Sequence, residues 1–482
     1  MQEKLKRGNT ALAVKAGFWY VASIVLIRGI LFITTPIFSR LMSDTAYGEF
    51  SNFASWQGTL LIITSAGLYN TLGRAYYDYT KDYDQYVSSI TITSFGLTGI
   101  IYLLFLVCRS WIFNIVSIPE QYVHILFFLL TFQSCKLIYM SRERTLYRYK
   151  SVAAISTIDL IIPTAIALLA VVILPDSQKL SARIYGHYLP SALIGMFCMI
   201  ILLLRGKSFR IEHCKYAFKL SLPLLINYLT AYLLTSSNTI ITKSVLGAQA
   251  TAIISIASST IHIFTVLFQS LSGALTTWLM DNLQQRKEEK IKHELLIYVG
   301  LLSAVAIAVI LVAPEAVWIL GGSKYARSAP LIPGLVVAVF IQSVTSLFAI
   351  ILTYDKNVIK TAVYTSIVTA LSIAAKTLLL QIYSYQVLPF IDIAAFGVLF
   401  IINYVLVKKA GYGSAINIKD IVCVILAVCL VMGCSYFLYE HTFIRYAVVA
   451  VFGAIAVTAI YKKRKLLIPL IKSRSKKKTT VF

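Results

Sequence analysis

Charge is scarce in this chain, and negative charge is the scarcer kind. Among 482 residues there are 20 Asp and Glu against 44 Lys and Arg, and charged residues make up only 13% of the whole. Soluble domains run near about 25% charged, so the composition excludes an ordinary soluble protein. Hydrophobic residues reach 58%, in long runs that recur from end to end and leave no room for a soluble domain. The runs are continuous, not alternating, and about 20 residues long, which excludes a membrane β-barrel and calls for helices.

Other absences narrow the chemistry. The seven cysteines are odd in number and lie mostly inside apolar runs. None has metal-ligand company, so they read as small buried hydrophobes without a disulfide framework. No zinc signature, P-loop or nucleophile elbow occurs. Asp82-Tyr83-Asp84 matches the acidic pair with which many glycosyltransferases hold a metal. With no nucleotide-binding domain beside it, it reads as a solvated loop. The external loops are too short to hold the catalytic residues of a membrane glycosyltransferase or polymerase, which stands as the alternative from a different class, with a structural partner of a glycan-synthesis complex beside it. The first apolar segment is too long for a signal h-region, and no cleavage-like site follows it. What is expected is a non-enzyme whose function lies in its helices.

Hydropathy gives about fourteen transmembrane helices, the first near 16–39 and the last near 444–461. Pro36, Pro163, Pro223, Pro333 and Pro389 fall inside them as candidate kinks. Of the 44 Lys and Arg residues, 33 fall in the termini and the even-numbered loops, 8 in the opposite loops (Arg183 and Lys243, at helix ends, among them), and three (Arg28, Lys136 and Lys376) inside helices. By the positive-inside rule both termini face the cytoplasm. The net charge of +24 is thereby explained by orientation and by anionic lipid headgroups, without nucleic acid. The basic tail from Lys462 reads either as a plain anchor or as a lipid-attracted segment.

Arg28 stands near the middle of the 24 residues between Lys15 and Arg40. An arginine near the bilayer midplane costs roughly 2.5–3.5 kcal/mol on insertion scales. It must face protein or a watery cavity, either as a packing pair or as a functional site.

A weak internal repeat appears at a shift of 204 residues. Lys15 maps onto Lys219, and SNFAS at 51–55 maps onto SIASS at 255–259. One face of helix 1 carries Arg28, Thr35 and Ser39, and the same face of helix 7 carries Tyr228, Tyr232, Thr239 and Lys243. Ser51, Ser55, Gly58 and Ser65 form a stripe on helix 2, and Ser255, Ser259, His262 and Gln269 form one on helix 8. Six helices separate the copies, so the expected fold is an all-α polytopic bundle of two parallel six-helix lobes plus two further helices. The boundaries are 1–204 for the first lobe, 205–217 for a cytoplasmic linker and 218–407 for the second lobe. Helices 13 and 14 occupy 408–461 and the tail 462–482. The polar stripes either face a central cavity or serve ordinary small-residue packing.

Three stretches carry a resemblance. They are TTPIFSRLMSDTAYGEFS at 34–51, SAGLYNTLGRAYYDY at 65–79, and AFKLSLPLLINYLTAYLLTSSNTIITKSVLGAQA at 217–250. They resemble polysaccharide-export flippases of the O-antigen type. Those belong to the multidrug/oligosaccharidyl-lipid/polysaccharide flippase superfamily. The match follows helices 1–12 in layout. It departs at Asn238, where an acidic residue or arginine usually follows the serine pair of helix 7. The resemblance implies alternating access that moves a polyprenyl-diphosphate-linked oligosaccharide from the inner to the outer leaflet of a bacterial cytoplasmic membrane. A glycan polymerase and glycosyltransferases are the partners it suggests, and protons or sodium ions the coupling; no bound cofactor is expected. The same-fold alternative is an ion-coupled multidrug antiporter.

A diphosphate needs fixed cations. Arg28 is the first candidate. Lys136 and Lys376 are either anion contacts or snorkelling lysines. Arg74, at the mouth of helix 2, either captures phosphate or anchors to headgroups. Tyr228 and Tyr232 suit sugar rings, and Gln269 shares their stripe. Asp159 either carries a coupling ion or pairs with Arg28 or Lys136. Asp392 is expected to be wetted near the outer end of helix 12, and His262 either titrates or packs.

Overall fold

In hydrocarbon every backbone N–H and C=O must find a partner within the chain, and a helix provides it within one segment. A computed structural model describes residues 29–30, 32–108, 116–355, 358–454 and 458. Among these the chain is helical, without strands. Arg28 lies outside the described residues.

The described part of the first helix, α1, covers 32–41. Helix α2 (Asp44–Ser65) starts on Ser43, whose hydroxyl accepts from the Ala46 amide at 3.2 Å. A short α3 (Leu72–Asp78) precedes α4 (Tyr83–Val107), α5 (Val123–Thr145), α6 (Tyr149–Ile173) and α7 (Lys179–Gly206). The long helices α8 (Ile211–Leu246) and α9 (Ala248–Gln284) are separated by Gly247 alone. At 37 residues and 1.5 Å per residue, α9 runs about 55 Å, well beyond a hydrocarbon core of about 30 Å. Then follow α10 (Glu288–Leu311), α11 (Ala313–Gly321), α12 (Ile332–Tyr354), α13 (Val358–Tyr383), α14 (Leu388–Lys409) and α15 (Ile418–Glu440), and last α16 (Thr442–Ala454).

Nine helical stretches among the described residues are long and apolar enough to cross a membrane, or ten with α8 taken as one bent span. One of the nine, Ile359–Lys409, contains both α13 and α14. The chain is a multi-pass membrane protein; the described residues do not reach the expected count of fourteen by this test. Leucine, isoleucine and valine lie exposed along α4, α6, α13 and α15, at Leu103, Val107, Leu169, Ile173, Leu371, Leu378 and Leu430 among others. Such bands suit lipid, not water.

The prolines divide by position. Helix α8 bends by 46° between Leu222 and Leu224, where a kink is expected. Pro163 sits inside α6, and so does Pro190 inside α7. Pro333 and Pro389 make no kinks: each stands in the first turn of its helix, where a missing N–H costs nothing.

Two cores organise the packing of the first helices. One gathers Phe53, Leu126, Leu130, Ile184 and Ala192 from α2, α5 and α7; the other joins Leu68, Leu72, Tyr86, Ile90 and Ile138. A third and larger core surrounds α12, with Val336, Phe340, Leu347 and Phe348 fully buried. It reaches across to Phe38, Met42 and Tyr47 of the first helices. Helices α8 and α9 both pack on α2, so α2 is where the two halves of the chain meet.

Candidate substrate cavity

The polar stripes converge on one space. A cavity of about 540 Å³ is walled by Ala54 and Ser55 of α2, by Tyr232, Asn238 and Thr239 of α8, and by His262, Thr265 and Gln269 of α9. Gln342 of α12 and Asp392 and Phe396 of α14 close its far side. Ser55, Tyr232, Thr239, His262 and Gln269 are the stripe residues read from helical spacing. Their hydroxyls are partly used at home: Ser55 donates to the Ser51 carbonyl and Ser259 to the Ser255 carbonyl. Tyr232 crosses to α2 at Gly58, where a Cβ would lie 1.9 Å from its hydroxyl oxygen. Tyr228, one turn earlier, is half-exposed and does not line the cavity.

The intramembrane lysines do not snorkel. The Lys376 side chain is wholly buried, and its ammonium makes three contacts. It lies 2.8 Å from Asp392 Oδ1 and donates to Ser237 Oγ at 2.9 Å and to the Leu234 carbonyl at 3.0 Å. Asn238 Nδ2 donates to the other oxygen of Asp392 at 2.6 Å. Asp392 is therefore not the wetted carboxylate expected: it is 4% exposed. The reason is that Asp392 stands in the second turn of α14, where Lys376 of α13 and Asn238 of α8 close over it. Asn238, the point of departure from the flippase pattern, orients this pair.

A second pair lies among the first helices. Lys136 Nζ donates to Asp159 Oδ2 at 2.6 Å and to Ser191 Oγ at 2.9 Å, and Ser191 donates to Asp159 Oδ1 at 2.7 Å. Of the partners open to Asp159, the structure supplies Lys136. Neither residue lines the cavity. Arg74 is largely exposed and pairs with Asp78 at 3.4 Å. Asp82 and Asp84 are each paired with an arginine. Asp82 binds Arg210 at 3.1 Å and Asp84 binds Arg142 at 2.6 Å. Among the described residues no cluster of metal-binding side chains occurs.

Several residues assigned to loops by hydropathy form a clasp at one end of the bundle. Ser39 Oγ donates to the Leu320 carbonyl at 2.6 Å, and Arg40 reaches the Trp318 and Ile319 carbonyls at 3.3 and 3.2 Å. Lys324 donates to the Met42 carbonyl at 2.9 Å and pairs with Asp44 at 2.7 Å. Lys243 of α8 pairs with Glu49 of α2. A Cβ on Gly48 would lie 1.9 Å from the Ala248 carbonyl oxygen, so only glycine lets α2 and α9 approach this closely. Arg183, expected in a loop, lies buried inside α7. Its guanidinium stands 3.6 Å from the Phe50 ring centroid and 4.2 Å from that of Phe38. Tyr47 beside it meets Tyr325 at 6.0 Å. Spacing on one helix could not reveal this clasp, because its partners lie about 200–280 positions apart.

A helical bundle with a polar cavity between its halves and a clasp at one end has the architecture of a membrane transporter. The first half of the chain carries the family signature: residues 13–282 match the polysaccharide biosynthesis protein family, and the chain belongs to that family. Its fold is similar to the lipid II flippase MurJ in an inward closed conformation. The TM-score is 0.68 at 14% identity, over 92% of this chain and 99% of that one. It is also similar to an inward-facing multidrug resistance MATE transporter, with TM-score 0.59 at 13% identity over 81% and 95% of the two chains. A Pyrococcus furiosus transporter of the MOP superfamily follows at TM-score 0.51, with 15% identity over 82% and 96%. These likenesses define the fold. No curated protein sequence matches the chain.

Proposed function

We propose that this protein is a flippase that moves a polyprenyl-diphosphate-linked oligosaccharide from the inner to the outer leaflet of a bacterial cytoplasmic membrane, for surface polysaccharide synthesis. The observation that carries this reading is the state of the deep carboxylates. Asp392, on the cavity wall, is held by Lys376, and Asp159, outside the cavity, by Lys136. The wall thus leaves no free carboxylate to draw a cation, which suits a cargo whose charge is negative, with Arg28 as the grip for its diphosphate. A pump for cationic drugs would keep a carboxylate free.

The two halves, 1–204 and 218–407, act as lobes that rock about the cavity. If the loop charges orient the termini to the cytoplasm, the clasp faces outward and the protein is closed on that side. Opening the clasp while closing the opposite end then delivers the cargo. Tyr232, His262 and Gln269 meet the glycan as hydrogen-bonding groups, and Arg74 meets phosphate at the cytoplasmic mouth. Protons or sodium ions couple the cycle. Anionic lipids bind the basic tail, and glycosyltransferases and a polymerase work beside it.

Deletion of the gene tests the proposal. Polyprenyl-linked glycan should accumulate on the cytoplasmic leaflet. Intact surface glycan with hypersensitivity to cationic drugs would favour an antiporter instead.

A further inference from the structure

A second chamber opens beside the main cavity. It lies between α8, α12, α13 and α14, holds about 200 Å³, and shares Gln342 and Phe396 with the cavity described above. Its wall contains no Asp, Glu, Lys or Arg. It contains instead three side-chain amides, Asn227, Gln342 and Asn403, set among Thr and Ser hydroxyls.

The hydroxyls have already given their protons away. Thr345 donates to the Ile341 carbonyl at 2.8 Å, Ser346 to the Ser343 carbonyl at 2.6 Å, and Thr365 to the Thr361 carbonyl at 2.9 Å. Each keeps only acceptor capacity toward the chamber. The amides differ. Asn227, Gln342 and Asn403 make no side-chain hydrogen bond among the described residues; Asn403 is 4% exposed and the other two are half-buried. A buried amide is ordinarily satisfied, so Asn403, unpaired at a cavity wall, needs an explanation.

The chemistry of the wall selects its ligand. Each amide offers two N–H donors and a carbonyl acceptor, and the hydroxyls add acceptors. A partner that both donates and accepts at several points meets that set. An anion lacks a cation here and would face hydroxyl lone pairs; a cation lacks a carboxylate. We infer that this chamber is a subsite for one uncharged sugar of the cargo, bearing hydroxyl or acetamido groups and read by Asn227, Gln342 and Asn403. The inference rests on the export function proposed above. It divides the labour within the molecule: the diphosphate stays in the main cavity, and a neutral sugar lodges in the side chamber past Gln342.

Binding to the full-length protein in lipid nanodiscs tests this, with three probes. They are bare undecaprenyl diphosphate, the same lipid bearing one neutral N-acetylhexosamine, and the same lipid bearing one hexuronic acid. The neutral-sugar lipid should bind about tenfold more tightly than the bare lipid, as one or two added hydrogen bonds give, and the uronic-acid lipid should gain nothing. Asn403→Leu and, separately, Asn227→Leu, which line the side chamber alone, should erase the gain and leave bare-lipid affinity unchanged. If Asn403→Leu fails to fold, Asn227→Leu carries the comparison. Equal binding of all three lipids by the wild type, a preference for the uronic-acid lipid, or a neutral-sugar gain that survives in the folded variants would overturn the subsite alone. Failure of the wild type to bind any of the lipids would overturn the export function with it.

Discussion

Lys376 and Asp392 form a 2.8 Å ion pair across α13 and α14 with the lysine side chain completely buried, and Asn238 of α8 fastens the carboxylate from the cavity side. Three helices of the second half are thereby tied at one point. Removing one member of such a pair leaves an uncompensated buried charge, at about 3–5 kcal/mol. Asp392→Ala should therefore lower the unfolding temperature of the purified protein markedly. The double change Lys376→Met with Asp392→Leu should restore most of it, since replacing both partners by apolar groups is often nearly neutral. A single variant as stable as the wild type would show that the pair is not structural.

The clasp can be tested by locking it. Lys243 of α8 and Glu49 of α2 meet across it. In a background freed of the seven native cysteines, Glu49→Cys with Lys243→Cys should be bridged by a short bifunctional methanethiosulfonate. Glycan export should stop and return with reductant. Export that continues through a fully cross-linked protein would mean that this end does not open.

Crowding the approach of Gly48 to Ala248 should do the reverse. Gly48→Leu places a side chain where the Ala248 carbonyl stands, and overpacking of this kind costs about 1–3 kcal/mol. The clasp should spring, so that a cysteine placed at Ser39 reacts with an impermeant thiol reagent added from outside the cell. No rise in labelling would contradict the outward placement of the clasp.

Arg183 should matter to the clasp through its ring contacts. Arg183→Met keeps the length and removes the cation that lies over Phe38 and Phe50. Each such contact contributes about 0.5–2 kcal/mol when desolvated. The variant should label faster at the Ser39 cysteine than the parent while remaining in the membrane.

Much of the cavity could be read from one strand of text, because it lies on single helices. Ser55, Tyr232, Thr239, His262 and Gln269 share faces at helical spacing, and spacing is what a sequence displays. The pairing of Lys376 with Asp392 was hidden because it joins two helices whose relative rotation is set by packing. Hydropathy placed Arg183 and Lys243 in loops, since a charge ends an apolar run on paper. In the molecule α7 and α8 continue through them and bury them against aromatic rings and Glu49. Pro333 and Pro389 suggest kinks on paper because composition cannot tell a helix interior from its first turn.

The proposed function assigns Arg28 the grip on an anionic cargo, and transport by the purified protein tests that assignment most directly. The measurement is movement of a fluorescent short-chain polyprenyl-diphosphate glycan across the bilayer of reconstituted vesicles, for wild type and Arg28→Ala at equal protein content. The wild type should move the lipid faster than protein-free vesicles, and Arg28→Ala should not. Movement at wild-type rate by a well-folded Arg28→Ala protein, or none by the wild type, would contradict the function proposed.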